Sequence, residues 1–407
     1  MTSPQNAAPT GPHRAGRTDW AAVAMALAAG IIVAMQVGKV PPALPMIRDD
    51  LGIDLVTAGW VASILNAIGA CLGALAGALV YARRPRTAVL AGLALLLVGG
   101  VLGALSASGF WLLAARFVEG IGLLGAVVAA PRLIVASAAA RDRGLAMGIW
   151  GAWMPAGMAI AMLVAAYWLD GHGWRGLWWL NAALVLAFLP AFAWFTRATA
   201  PPPARRGVDW AGFRATCARP GPWLLGMIFG VYSLQWFAMM IWLPTLLIDE
   251  MKLTGPVAAL LAAAVVATNV LGNLAAAAAM HRGVRRPWLI AAGYVAMAAT
   301  AVGLYAPDAA VPLKLLLAFG FSLLSGLLPA ATLAGTAAHA PSAGQVGAVN
   351  GIAVQGANLG NLLGPPAMAA VVAAAGWSAS YWVMLIGCAA GLGLTAWLAL
   401  VERRLQE

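Results

Sequence analysis

Arg116 and Glu119 stand three residues apart inside the apolar run 110–136. On a helix that spacing puts both on one face, where a guanidinium can pair with a carboxylate. Glu119 is the only carboxylate placed inside such a run, and four cations share its predicament: Lys39, Arg116, Arg132 and Lys314. A charge at mid-bilayer costs about 2.5–3.5 kcal/mol on insertion scales, so those that persist face the protein interior or a cavity. Two chemistries are open to the pair. It can brace the fourth run, or Glu119 can couple its protonation to a cycle. Bracing is the favoured reading, because an adjacent guanidinium stabilises the ionised carboxylate. Lys39, three residues before Pro42, either snorkels outward or turns inward to bind an anion. Lys314, two residues after Pro312, is expected to snorkel, and Arg132, after Pro131, to anchor at the interface.

Uncharged polar groups extend the pattern. Gln36, Asn66, Gln235, Asn269, Asn273, Gln355, Asn358 and Asn361 all fall in apolar runs. Asn269 and Asn273 share a face, as do Gln355 and Asn358. An amide facing lipid lacks partners, so these faces point inward. Any one of them is explained by an interhelical hydrogen bond; the set implies a lined cavity, with Trp150, Trp153, Tyr232 and Trp236 as apolar wall. Enzyme chemistry finds no foothold. His13, His172, His281 and His339 are read into loops or the tail, with no metal-type pair and no nucleophile–base pattern. No cofactor or metal site is expected, and no Walker-type phosphate loop is present. Three cysteines are too scattered for a disulfide framework.

The elements that hold these groups must be membrane helices. The chain of 407 residues is 63% hydrophobic and 9% charged, against roughly 45–50% and 25% in soluble domains. That excludes a soluble enzyme, a disordered scaffold and, despite a net charge of +11, a nucleic-acid-binding module. Twelve runs are long enough to span, at about 20 residues each: 20–44, 57–80, 87–107, 110–136, 144–168, 176–196, 222–248, 256–280, 287–306, 312–336, 345–374 and 378–401. They are continuous and Leu/Ala-rich, unlike the alternating strands of a barrel. Seventeen Lys and Arg fall on the side that holds both termini, among them Arg83, Arg84, Arg86, Arg282, Arg285 and Arg286. Three, Arg48, Arg175 and Lys252, fall on the other. Both termini are therefore expected in the cytoplasm.

The chain also reads as duplicated. Pro45 and Pro244, Arg83 and Arg282, and Arg86 and Arg285 each stand 199 apart, and Gly173-Trp174 is echoed by Gly376-Trp377. Six spans per half give both copies the same orientation. The expected organisation is a disordered cytoplasmic tail 1–19, a six-helix bundle 20–196, a Pro- and Arg-rich cytoplasmic loop 197–221, a second bundle 222–401, and a tail 402–407. Gly69, Gly73 and Gly77 make a small-residue stripe that lets helices approach closely.

Four motifs carry a resemblance. Ala43-Leu44-Pro45-Met46-Ile47-Arg48-Asp49-Asp50-Leu51-Gly52 closes the first span. Arg116-Phe117-Val118-Glu119-Gly120-Ile121-Gly122 lies in the fourth. Gly173-Trp174-Arg175-Gly176-Leu177-Trp178-Trp179-Leu180-Asn181 opens the sixth, and Gly360-Asn361-Leu362-Leu363-Gly364-Pro365 lies in the eleventh. Over essentially its whole length the chain resembles the major facilitator superfamily. That resemblance implies an all-α membrane fold of twelve helices in two pseudo-repeated bundles, and alternating access around a midplane site. It also implies a cytoplasmic gating loop after the second span, with Gly77, Arg83, Arg84 and Arg86 at the family's positions. Tyr81 replaces the Asp expected there, which removes the usual latch residue. The fifth-span signature of drug exporters is degraded around Pro155, and no Asp lies in the first span.

In the family the first and seventh spans line the cavity, so Gln36 with Lys39 on one side and Tyr232 with Gln235 on the other are expected to frame a site. Embedded cations outnumber the embedded acid four to one. The expected cargo is a small organic or inorganic anion, with cyanate-type permeases as the subfamily to compare. The alternatives are proton-coupled export of a neutral or cationic hydrophobic compound and, from another class, a membrane sensor without flux. The expected partners are that small molecule, the lipid bilayer and protons, for a monomer in a bacterial cytoplasmic membrane.

Overall fold

The computed structural model describes residues 17–79, 85–199 and 209–404, and among them it is helical, without strands. Among the described residues, each of the twelve apolar runs falls mainly on one helix or on two or three consecutive helices. Ten helices among the described residues are long and apolar enough to cross a membrane, and the difference from twelve has two physical sources. The helix Trp153–Phe195 has 43 residues, about 65 Å at 1.5 Å per residue, twice the hydrocarbon core. It holds the fifth and sixth spans, parted at Gly173 (φ 64°, ψ −179°). The eleventh span, Val346–Ala375, carries Asn350, Gln355, Asn358 and Asn361, and these amides dilute its hydropathy.

Gly173 has a counterpart in the other half. Gly376, which ends the eleventh span, has φ 76° and ψ 174°. That region of backbone space is open essentially to glycine alone. The Gly-Trp echo is thus a repeated backbone device that lets the chain re-enter the membrane with no intervening loop.

The first span extends further than the sequence suggests, over Trp20–Leu51. It is broken only at Lys39, between Trp20–Gly38 and Val40–Leu51. Pro41 and Pro42 have no N–H to offer the carbonyls one turn back, so the helix loosens there. With the longer span, Lys39 sits just past its middle rather than in its outer third. The second span is Leu55–Ser63, a 3₁₀ turn Ile64–Asn66, and Ala67–Leu79. The remaining spans are Pro85–Ala104, Gly109–Ser137, Pro220–Asp249, Gly255–His281, Arg286–Leu304, Val311–His339 and Trp377–Arg404.

Several boundaries differ from the sequence reading. Of the expected tail 1–19, residues 1–16 lie outside the described residues. Asp19 caps the first helix by accepting from Ala22 N at 3.1 Å, and Thr18 donates to Asp142. The loop 197–221 contains a helix, Trp210–Cys217. Its cap, Asp209, also accepts from Gln345 Nε2 at 2.7 Å, tying the linker to the start of the eleventh span. The last helix runs to Arg404, so Glu402 belongs to the fold and not to a tail. His172, His281 and His339 lie on helices, not in loops.

Candidate functional site

Glycines let five spans converge on Glu119. A Cβ at Gly99 of the third span would fall 2.6 Å from Glu119 Cγ, so only glycine fits. From the first span, Lys39 Nζ donates to Glu119 Oε1 at 2.8 Å and to Gln36 Oε1 at 2.8 Å. It also stands 4.5 Å from the centroid of Trp178, on the sixth span, a cation–π contact. Arg116 pairs with the second Glu119 oxygen, donates from Nε to Val61 O at 3.1 Å, and from Nη1 to Gln36 O at 2.8 Å. Its Nη2 is buried without a hydrogen-bond partner.

Lys39, Arg116 and Glu119 are 0% exposed, and Gln36 is 1% exposed. Two cations and one carboxylate leave a net +1 sealed in the protein. Buried charges are tolerated only when paired and hydrogen-bonded, and this cluster meets that condition at every atom but Nη2. Of the two expectations for Lys39, snorkelling is excluded. The Arg116–Glu119 pair is present, and Lys39 joins it from 80 residues away, which no local spacing encodes.

A second constellation lies between the bundles, where the second and eleventh spans pack. The stripe Gly69–Gly73 receives amides from across the seam. Asn358 lies where a Cβ on Gly69 would sit, its Cγ 2.5 Å away. Gln355 donates from Nε2 to Ala70 O at 2.8 Å and accepts at Oε1 from Ala74 N at 3.1 Å. One side chain thereby grips the donor and acceptor of a single helical rung in the opposite bundle. Asn361 Nδ2 reaches Asn66 Oδ1 at 3.5 Å, and Asn66 Nδ2 donates to Ser63 O. Gly59 meets Pro366, whose Cα is 2.8 Å from the position of a Cβ.

The candidates on the seventh and eighth spans bond within their own bundle. Asn269 Nδ2 donates to Ser322 O at 3.0 Å and lies 3.4 Å from both Tyr232 Oη and Ser325 Oγ. Gln235 donates to Val231 O and accepts from Cys388 Sγ at 3.1 Å, toward the twelfth span. Trp236 stacks near Tyr232, with centroids 6.4 Å apart. Trp153 stacks on Trp150 at 5.5 Å against Gly30 of the first span. Among the described residues, no hydrogen bond or ring contact of Tyr232 or Gln235 reaches Gln36 or Lys39. By their hydrogen bonds the polar groups divide into a charged cluster, a seam and a neutral cluster.

At the ends that carry the termini, Gly77 lies on the second-span helix, and Arg83 and Arg84 lie outside the described residues. Arg86 donates to Ala193 O at 2.7 Å and Thr196 Oγ1 at 3.2 Å. The other half has a group that sequence reasoning missed: Glu402 Oε1 takes Arg286 Nη2 at 2.9 Å and His339 Nε2 at 3.2 Å. The signal was available, since Arg86 and Arg286 both open a span just after a basic loop. Lys314 keeps its stem buried at the opposite end, while its amino group is not among the buried unpartnered atoms. It is 7% exposed and lines a cavity with Glu250, Tyr305 and Trp377.

Comparisons with known proteins agree with this architecture. A family model described as Major Facilitator Superfamily matches residues 26–355. An uncharacterized MFS-type transporter of Mycobacterium tuberculosis is 27% identical over 52% of this chain and 31% of its own length. Myo-inositol transporter 3C of Cryptococcus neoformans is 31% identical over 38% of this chain and 27% of its own. The chain spans about a third of the length of the curated relatives it matches. A bacterial homolog of the human lysosomal transporter Spinster, solved in an inward-facing and occupied conformation, superimposes with a TM-score of 0.74. That match is at 16% identity over 95% of this chain and 96% of the homolog. The duplicated six-span halves, the glycine-filled seam between them and a family model that covers most of the chain lead to one conclusion: this is a multi-pass membrane protein that belongs to the Major Facilitator Superfamily.

Proposed function

We propose that the chain is a secondary active transporter that moves a small anionic solute by alternating access, and not an enzyme. The observation that carries the reading is the buried cluster of Lys39, Arg116 and Glu119, with its excess positive charge and its unpartnered guanidinium nitrogen. Glu119 acts as resident counter-ion: it positions two cations and reduces their sum to +1. A substrate carboxylate then completes the charge balance through charge-assisted hydrogen bonds, which are stronger than neutral ones. Gln36 and Trp178 hold Lys39 for that contact. The seam of Asn66, Gln355, Asn358 and Asn361 is what must part and re-form as the two bundles rock about the site. Both termini lie in the cytoplasm of a bacterial cell, with the chain in its inner membrane, and one copy suffices for the cycle.

Proteoliposomes loaded with a labelled panel of anions, neutral solutes and hydrophobic cations, with and without a pH gradient, test this. Saturable flux of an anion, lost in Lys39→Met, is expected. Flux of a hydrophobic cation alone, in exchange for protons, overturns the anion reading. Binding without flux of any compound overturns transport and leaves a sensor.

A further inference from the structure

Lys314 is the one embedded cation of the second half, and the central cluster does not use it. It lies in the first turn of the tenth span, at the bundle end opposite both termini. Among the described residues, no side-chain hydrogen bond or ion pair engages its amino group, although the residue is 7% exposed. The amino group is not among the buried atoms left without a partner, so Lys314 keeps its stem buried and opens its charge to the space beside it. It lines a cavity of about 200 Å³ bounded by the end of the seventh span, the turn after the ninth and the Gly376-Trp377-Ser378 re-entry. That volume has room for several waters, hence for a phosphate or a short carboxylic acid. Tyr305 and Trp377, both largely buried, supply aromatic wall. Glu250 also lines the cavity and is exposed, so it stands at the rim and repels a bare anion.

We propose that this cavity is a second, peripheral binding site, in which Lys314 receives the anionic oxygens of a phosphate or carboxylate group, separate from the central cluster. The same chemistry is offered by a free solute and by a phospholipid headgroup, since the cavity lies at the end of the bundle, where spanning helices meet the headgroup region. The site stands whether or not the central cluster carries an anion, because it shares no residue with it.

The test uses the full chain purified in an uncharged maltoside detergent. Thermal midpoints are followed against inorganic phosphate in one arm, at constant ionic strength, and against short-chain phosphatidylglycerol in the other. The wild-type midpoint is expected to rise with at least one titrant. Lys314→Met should shift the half-saturating concentration roughly tenfold or more upward, the size of one charge-assisted hydrogen bond, and Lys314→Arg should retain most of the response. Glu250→Gln, which removes the rim charge, should move it downward. A response to phosphate identifies a solute site, and a response to the lipid alone a headgroup site. Superimposable curves for wild type and Lys314→Met in both arms overturn the proposal.

Discussion

The first bundle is organised around buried ions, the second around neutral hydroxyls and amides. Lys39, Arg116 and Glu119 fill the centre of the first; Tyr232, Asn269, Ser322 and Ser325 fill the corresponding depth of the second. The backbones nonetheless repeat. Pro45 and Pro244 lie inside matching helices, and Gly173 and Gly376 share one unusual conformation. The 199-residue spacing even pairs Gln36 with Gln235, yet it pairs Lys39 with Ala238. At the ends that carry the termini the contrast reverses. Arg86 is met by a carbonyl and a hydroxyl, Arg286 by a carboxylate with a histidine beside it. A duplicated scaffold has kept its backbone devices in both copies and placed a carboxylate in only one copy at each of these two levels.

The largest test of this asymmetry is to remove the counter-ion. Glu119→Gln leaves two buried cations facing each other, and breaking a buried pair in this way costs about 3–5 kcal/mol. Asn269→Ala in the neutral bundle should cost about 1–3 kcal/mol, the desolvation of groups left without a partner. Thermal unfolding of both variants in detergent decides it. Equal losses mean that the ionic core is no more structural than the neutral one. If Glu119→Gln instead folds normally and abolishes the pH dependence of flux, Glu119 is a coupling group and not a brace.

A smaller effect is expected from the cation that reaches across. Lys39→Met leaves Arg116 and Glu119 as a balanced pair, so stability should fall less than in Glu119→Gln. Anion affinity should drop about 100-fold, equivalent to 2.7 kcal/mol, while Gln235→Leu, its neighbour's counterpart in the second bundle, leaves it nearly unchanged. Competition binding with the transported anion measures both. An equal loss at Gln235 places the site between the bundles instead of within the first.

How much of this was legible depended on range. The apolar runs and the Arg116–Glu119 pair follow from hydropathy and local spacing, because each is decided within one stretch of chain, and the duplication follows from echoes repeated at one offset of 199 residues. The inward turn of Lys39 was one of two open readings, and its partner was not visible at all. Residues 39 and 119 share no local pattern, and only the convergence of glycine-faced helices brings them together. Gln355 and Asn358 were read correctly as one inward face, but that the face crosses the seam to grip Ala70 and Ala74 is a property of bundle packing. Tyr232 and Gln235 bond within the second half, to groups on the eighth and twelfth spans, a choice no local spacing encodes because helix rotation is set by packed neighbours. Glu402 was missed because it lies one residue beyond the last apolar run, where charge reads as tail.

The ionic end of the second bundle offers the next comparison. Glu402→Gln removes the charge that holds Arg286 and His339, and hydrogen bonds to charged groups are worth about 1.5–3 kcal/mol. Thr196→Val, at the matching end of the first bundle, removes one bond from the Arg86 guanidinium and leaves Arg86 its carbonyl partner, so it should cost about 1.5 kcal/mol, the low end of that range. Both are read as thermal midpoints at neutral pH. A larger loss at Thr196 than at Glu402 breaks the reversal of charge between the two ends.

The smallest difference lies at the caps of the second and eighth spans, and it carries a pH signature. Asp54 and Thr254 have the same extended backbone ahead of their helices, with φ/ψ of −71°/171° and −69°/152°. Asp54 Oδ1 accepts from Thr57 N at 2.7 Å, whereas the Thr254 side chain makes no cap bond. Asp54→Ala should therefore cost about 0.5–2 kcal/mol, and Thr254→Ala close to nothing. The hydrogen bond from the Thr57 backbone holds the Asp54 carboxyl below the usual carboxylate range. Its folded-state value thus lies under the unfolded one of about 3.9. The cap's contribution is present above the unfolded value and is lost as pH falls through the folded one. The gap between wild type and Asp54→Ala should close below about pH 4. Asn caps equally well without titrating, so Asp54→Asn should keep its stability through that range. Pulse proteolysis at pH 7 and at pH 3 reads wild type and the three variants. If Asp54→Asn loses stability in parallel with wild type on acidification, the loss belongs to other carboxylates, and the two caps differ in chemistry but not in function.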